Sequence, residues 1–259
     1  MNPLSQRQNN ILLGVIETHI ETTQPVGSRS IAEKYALSFS SATIRNEMGA
    51  LEEMGYLTHP HTSSGRLPTD HGYRYYLDNT SFEDTSAVAP FTRLTEELAP
   101  AAAEERLEEF LDHVALLLSS LSQEIGLTLM PSCRPASERS GRARFSLQGL
   151  PYILEKPEFQ DVRKIRNLIG VFEEKIALTQ WVLTHGNPES VSVSVGREHA
   201  QEALEDCAIV TARYGAGGES RGVIAILGPK RMAYRKIIPL VSRMAVVVGD
   251  ILENRELEA

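Results

Sequence analysis

Residues Ser40–Tyr76 read SSATIRNEMGALEEMGYLTHPHTSSGRLPTDHGYRYY, and the rest of the chain is interpreted outward from them. Ser40 and Ser41 are good helix N-caps, because a short side-chain oxygen accepts a hydrogen bond from the first free amides of a helix. The run behind them lacks proline and closes on Gly55, a favourable residue just past a helix end, so a helix of about three to four turns is expected. On a helical wheel Ile44, Met48 and Leu51 fall on one side. Ala42, Asn46, Gly49 and Glu53 fall opposite, flanked by Thr43 and Arg45. That outer face is slim and hydrogen-bonding. A DNA major groove admits such a face, and Asn and Arg are the side chains that pair in a bidentate way with adenine and guanine edges. The same wheel also describes an ordinary amphipathic helix whose polar side meets water.

The segment C-terminal to this helix separates the two readings. Tyr56–Thr58 is a short strand, His59–Gly65 a polar turn and Arg66–Leu67 the returning strand, which makes a β-ribbon beside the helix. Such a ribbon carries His61, Ser63, Ser64 and Arg66 toward phosphates, where hydroxyls and cations position a protein without reading sequence. His59 and His61 form a His-x-His pair, but no cysteine or third ligand lies near them, so no metal is expected.

Upstream, Ile11, Leu12, Val15, Ile16, His19 and Ile20 repeat at helical spacing from a cap at Ser5 to about Thr22. Pro25 and Gly27 mark a turn, Ser28 caps a short helix Arg29–Tyr35 with Ile31 and Ala32 facing inward, and Ala36–Phe39 is a tight connection. Helix, helix, turn, helix and ribbon is the winged helix-turn-helix order. After the ribbon, Thr69 caps a helix to Leu77, whose Tyr73, Tyr75 and Tyr76 are expected to pack on the domain.

The segments Pro25-Val26-Gly27-Ser28-Arg29, Ala42-Thr43-Ile44-Arg45-Asn46-Glu47-Met48, Leu51-Glu52, Gly55-Tyr56-Leu57, Pro60-His61-Thr62-Ser63, Gly65-Arg66, Pro68-Thr69 and Gly72-Tyr73-Arg74-Tyr75 together resemble the HrcA family of heat-inducible transcription repressors. In the C-terminal half Pro157-Glu158-Phe159, Val193-Ser194-Val195-Gly196-Arg197-Glu198 and Gly228-Pro229-Lys230-Arg231-Met232-Ala233-Tyr234 are similar to motifs of the same family, where they belong to a GAF-like domain. One departure stands out. Family members carry further strands and an inserted dimerisation domain between the segments matching Pro131 and Gly149, and here only SCRPASERSGRARFSLQ fills that gap.

The chain has 259 residues, 42% of them hydrophobic, enough for two modest domains with cores. No apolar run reaches membrane-spanning length and MNPLSQRQNN is too polar for a signal peptide, so a cytoplasmic location is expected. Cys133 and Cys207, without CxxC spacing, read as inert thiols. A net charge of −8 opposes non-specific DNA binding. Even the first 80 residues are slightly acidic, with Arg7, Arg29, Lys34, Arg45, Arg66 and Arg74 set against Glu17, Glu21, Glu33, Glu47, Glu52, Glu53, Asp70 and Asp78. Specific binding needs only a local basic face, so weak non-specific affinity with a strong salt dependence is expected.

NTSFEDTSAVAPFTR, from Asn79, lacks periodicity and reads as a linker, giving the division 1–78 winged helix, 79–94 linker and 95–259 connecting helix with C-terminal domain. The connecting helix spans Thr95–Ile125 with a break at Pro100. Leu107, Leu111, Val114, Leu118, Leu121 and Ile125 form a heptad seam, either packed on its own domain or paired with a second protomer. Strands at Gly126–Met130 and Ala143–Leu147, a helix Gln160–Leu183, a strand Val191–Val195, a helical turn at His199–Leu204, strands Cys207–Tyr214 and Arg221–Leu227 and a last helix Met232–Glu253 complete an α+β class. Gly215–Gly218 lacks the Gly-Lys-Ser/Thr ending of a phosphate loop and reads as a hairpin turn. No GxSxG, HExxH or CxxC motif occurs, so neither an enzyme nor a cofactor is expected.

The function expected is therefore a repressor that binds an inverted-repeat operator in double-stranded DNA as a homodimer. The dimer would be built by the heptad seam or the last helix in place of the inserted domain. Resemblance implies that the operator controls chaperonin and Hsp70 genes, that heat releases it and that the chaperonin is a partner. Asn46, Arg45 and Thr43 would meet bases, and Ser28, Arg29, Ser41, His61, Ser63, Ser64 and Arg66 phosphates. Two rivals belong to other classes: a metabolite sensor with a ligand site in the C-terminal domain, and an interaction module whose winged helix no longer binds DNA.

Overall fold

The computed structural model describes residues 4–35, 39–60, 65–82, 91–104, 106–130, 144–173, 191–199, 201–216 and 219–257. They fall into two units, one of Met1–Ser81 with Lys230–Ala233, the other of Phe82–Pro229 with Tyr234–Ala259.

The first unit is built on helices α1 (Gln6–Thr22), α2 (Ser28–Lys34), α3 (Ser41–Glu53) and α4 (Asp70–Asn79), with strands β1 (Leu57–Thr58) and β2 (Leu67–Pro68) between the last two helices. Each long helix starts at a residue able to cap it. Ser5 and Gln8 form a capping box, Ser40 Oγ accepts from the Thr43 amide, and Thr69 Oγ1 accepts from the Gly72 amide. Ile11, Leu12, Val15 and Ile16 of α1, Ile31 of α2, Ile44, Met48 and Leu51 of α3, and Tyr73 and Tyr76 of α4 are all buried. Tyr73 and Tyr76 thus pack into the domain as expected.

Two expectations shift here. Ser28 does not cap α2: Gly27 is the extended N-cap residue and Ser28 the first helical one. The reason is long-range, because Val26 exchanges two backbone hydrogen bonds of 2.9 Å with Arg66 and so sets where the chain can turn into the helix. The returning strand is Leu67–Pro68 and not Arg66–Leu67; Arg66 is taken up by the bridge to Val26.

In the second unit α5 (Phe91–Glu104) and α6 (Leu107–Ser122) precede β3 (Ile125–Met130), β4 (Arg144–Gln148), α7 (Leu150–Leu154), α8 (Val162–Glu173), β5 (Ser192–Val195), β6 (Cys207–Ala216), β7 (Glu219–Pro229) and α9 (Tyr234–Leu257). Turns of 3-10 helix at Pro157–Phe159, Gly196–His199 and Glu202–Leu204 fill the connections. The five strands form one antiparallel sheet in the order β4-β3-β7-β6-β5. One face, with Ile125, Leu127, Leu129, Cys207, Ile209, Val223, Ala225 and Leu227, is covered by Ile153, Phe159, Leu168, Phe172 and Leu204. The alternate residues face the other layer, where α6 packs on β3 and β4 and α9 on β6 and β7. Gly126 permits the closest approach there, since a Cβ on it would lie 2.2 Å from the Ala115 carbonyl oxygen. Both faces being covered, β3 reads as an almost unbroken apolar run instead of alternating. This is the expected GAF-like α+β arrangement.

The connecting helix is corrected. It is two helices, and the break falls at Arg106, the N-cap of α6, while Pro100 lies inside α5. A proline deletes one backbone hydrogen bond and bends a helix without having to end it. Because α5 already begins at Phe91, the irregular segment is shorter than 79–94. The seam ends early too. Gln123 takes a left-handed conformation with φ 59° that closes α6, and Ile125 belongs to β3. Leu111, Val114 and Leu118 are buried, with α6 packed on its own sheet and on α5 and α9, so the seam is no surface for a second protomer. Elsewhere α7 was not expected, α8 starts later than Gln160, and the 174–183 part of that helix lies outside the described residues. The β6–β7 ladder also continues to Ala216 and Glu219, leaving a shorter connection than Gly215–Ser220. Among the described residues no helix is long and apolar enough to cross a membrane.

Candidate nucleic-acid interface

The outer face of α3 is open. Ser41, Ala42, Arg45, Asn46 and Glu53 are exposed and Gly49 has free space where a side chain would stand, while Ile44, Met48 and Leu51 anchor the helix beneath. Thr43 is half-buried, and its hydroxyl lies 3.0 Å from Ser40 Oγ, so it serves the cap as well as the surface.

Beside α3 the chain brings three arginines to one groove of about 230 Å³, lined by Val26, Gly27, Ser28, Arg29, Arg45, Met48, Gly65 and Arg66. The groove exists because the base of the ribbon is drawn onto the turn before α2. A Cβ on Gly65 would lie 2.6 Å from the Val26 carbonyl, so only glycine lets the two backbones approach. Of the expected phosphate contacts, Ser28, Arg29 and Arg66 thus converge with Arg45, which was expected at base edges. Ser41 lies apart at the start of α3, and His61, Ser63 and Ser64 lie outside the described residues.

The acidic balance has a local resolution. Glu47 is 3.4 Å from Arg7, Asp78 is 3.3 Å from Arg74, and Glu21 pairs with Lys34, a hydrogen bond that raises the Lys34 pKa above its ordinary value. Glu52, in the last turn of α3, meets the residues that flank both strands of the ribbon. Its Oε2 lies 2.8 Å from Arg66 Nε, in ion-pair range though not aligned as a hydrogen bond, and its Oε1 contacts His59 Nδ1. Among the described residues Arg29 and Arg45 make no ion pair, and both line the groove.

Sequence reasoning placed Arg66 on the returning strand, whereas it stands beside that strand in a bridge to Val26, and gave Glu52 and His59 no role together. Thr58 pairs with Leu67, so His59 follows and Arg66 precedes the last paired residues of the two strands, and Arg66 bridges to Val26. Hairpin register would have shown that pairing, but no local signal shows that Glu52 reaches it. His59 Nδ1 contacts Glu52 Oε1, and His61 of the His-x-His pair lies outside the described residues.

Two family models match the chain. One, a winged helix-turn-helix transcription repressor DNA-binding domain of HrcA, covers residues 3–82, and the other, the HrcA C-terminal domain, covers residues 89–238. The "Heat-inducible transcription repressor HrcA" of Pelotomaculum thermopropionicum is 28% identical over 97% of this chain and 97% of its own length. The protein of the same name from Symbiobacterium thermophilum is 29% identical over 96% and 98%. The Pelotomaculum alignment runs over 339 positions against 259 residues here, so at least 80 positions of that relative have no counterpart. A solved structure described as a crystal structure of a hypothetical protein at 2.2 Å resolution shares the fold, with a TM-score of 0.77 and 22% identity over 98% of this chain and 100% of its own. With both halves accounted for, this chain belongs to the HrcA family of transcription repressors, as a shortened member.

Proposed function

We propose that this protein represses transcription by binding an inverted-repeat operator as a dimer, one α3 in the major groove of each half-site. The observation that carries the reading is the convergence of Arg29 and Arg45, unpaired among the described residues, on one groove beside the exposed Asn46. Asn46, Arg45 and Thr43 read base edges. Ser28, Arg29, Ser41 and Arg66, with His61, Ser63 and Ser64 of the ribbon, hold phosphates. The family is one of repressors and not of catalysts.

The genes controlled are those of the chaperonin and Hsp70, and warming releases the operator. Typical domains are stable by only about 0.05–0.15 kcal/mol per residue, so modest heating dissolves a dimer that depends on one such domain. The chaperonin acts as the partner that returns the repressor to its folded form. With the seam buried, the outer sides of α6 and α9, where Leu116 and Val246 are exposed, are the place to look for the second protomer.

The test is a gel shift at stated salt. The probe is an inverted-repeat duplex enriched from a random library by the protein itself, with a scrambled duplex as control. Retardation of the first alone supports the proposal; equal retardation of both, or of neither, rejects it. Sedimentation of the same complex counts the protomers.

A further inference from the structure

Glu52 stands where helix energetics disfavour it. It lies in the last turn of α3, where the helix dipole opposes a carboxylate, next to Glu53 and with no basic residue in that turn. What it gains is tertiary: a partner flanking each strand of the ribbon, the Arg66 guanidinium at Oε2 and the His59 ring at Oε1. The side chains of Glu52 and Arg66 are each only 22% exposed, so salt screens this pair less than it screens an open surface pair. Carboxylate and phosphate offer a guanidinium the same fork of acceptors. In the free protein one carboxylate oxygen of Glu52 therefore sits at Arg66 Nε, where a phosphate oxygen would otherwise sit.

We infer that Glu52 is a specificity-determining positioning residue: its carboxylate holds both ribbon strands against the recognition helix and withholds the charge of Arg66 from duplexes that α3 does not also satisfy. The inference rests on the DNA-binding function proposed for α3 and the ribbon. A duplex that matches α3 gains base contacts and displaces Glu52 from Arg66. One that does not match gains only phosphate contacts, and one of these is already taken. The carboxylate thus lowers non-specific affinity more than specific affinity.

Salt dependence tests this directly, because each phosphate neutralised contributes about 0.9 to the slope of log affinity against log salt. Anisotropy titrations of the full chain and of Glu52→Gln, on the enriched inverted repeat and on its scrambled control over a salt series, give the slopes. Glu52→Gln should bind the scrambled duplex more tightly, lose several-fold in operator-to-scrambled ratio, and steepen the slope on the scrambled duplex by about one. Adding Arg66→Gln should remove that extra unit, whereas Arg66→Gln alone should change the slope on the scrambled duplex by much less. Glu52→Asp keeps the charge and should keep the wild-type slope, which separates charge from folding. If Glu52→Gln loses affinity for both duplexes in parallel with no steeper slope, Glu52 only braces the ribbon and the inference falls. If the wild type itself prefers no duplex, the DNA reading falls first.

Discussion

Helices α3 and α6 share an amphipathic pattern and meet opposite fates. In α3 the buried side chains are Ile44, Met48 and Leu51, a single column, and the opposite side stays open. In α6 they are Phe110, Leu111, Val114, Ala115, Leu118 and Ser119, a double column that α5, α9, β3 and β4 enclose. The width of the apolar stripe thus separates a helix that presents a face from one that fills a core. Even polar groups follow this division. Thr128, behind α6, is fully buried and donates to the Leu111 carbonyl, while Asn46 of α3 points to solvent.

The largest effect expected from this contrast is in the enclosed helix. Leu118→Ala empties a fully buried position and should destabilise the second unit by about 2–5 kcal/mol. Calorimetry should show the lower melting temperature, and operator release should move down with it while affinity at low temperature is unchanged. Release at the original temperature despite the lost stability would break the link between domain unfolding and derepression.

On the open helix, Asn46→Ala should leave melting unchanged and cost about 1–3 kcal/mol in operator binding, with specificity relaxed at one base pair per half-site. Equal loss on every sequence would make Asn46 a positioning residue. A smaller and different effect is expected at the cap. Ser40→Ala removes the acceptor for the Thr43 amide and should cost about 0.5–2 kcal/mol in stability of the first unit, with binding lost only as α3 frays. Amide exchange confined to the first turn of α3 would check this.

The α3 region was legible because its determinants are local: a serine cap, a three-residue stripe and Gly55 after it. The seam misled because heptad spacing runs on through Ile125 although Gln123 stops the helix, and a left-handed non-glycine residue carries no mark in sequence. Strand β3 was found, but its two-sided burial depends on layers far away in the chain. In the site, Arg45 and Asn46 could be placed by periodicity. The groove could not, since it depends on the Val26–Arg66 bridge, and neither could the reach of Glu52 to the ribbon. Those are contacts between segments whose separation in sequence says nothing of their distance.

The smallest effect at neutral pH concerns Tyr214, and it contrasts the two units by titration. Its hydroxyl is buried and donates to the Leu129 carbonyl at 3.2 Å, tying β6 across β7 to β3. Burial raises its pKa well above the ordinary tyrosine value of about 10. A group whose folded pKa exceeds its unfolded one contributes stability that is complete below the unfolded pKa and declines as pH rises toward the folded value. The second unit should therefore melt at a constant temperature up to about pH 9 and lose stability above about pH 10. Tyr214→Phe should cost about 0.5–1.5 kcal/mol at pH 7, for one hydrogen bond, and flatten the alkaline loss. In the first unit Tyr35 and Tyr75 are also raised by burial, so its alkaline decline should persist in that variant. A melting curve in which Tyr214→Phe leaves the high-pH loss of the second unit untouched would place the titrating group elsewhere in that unit.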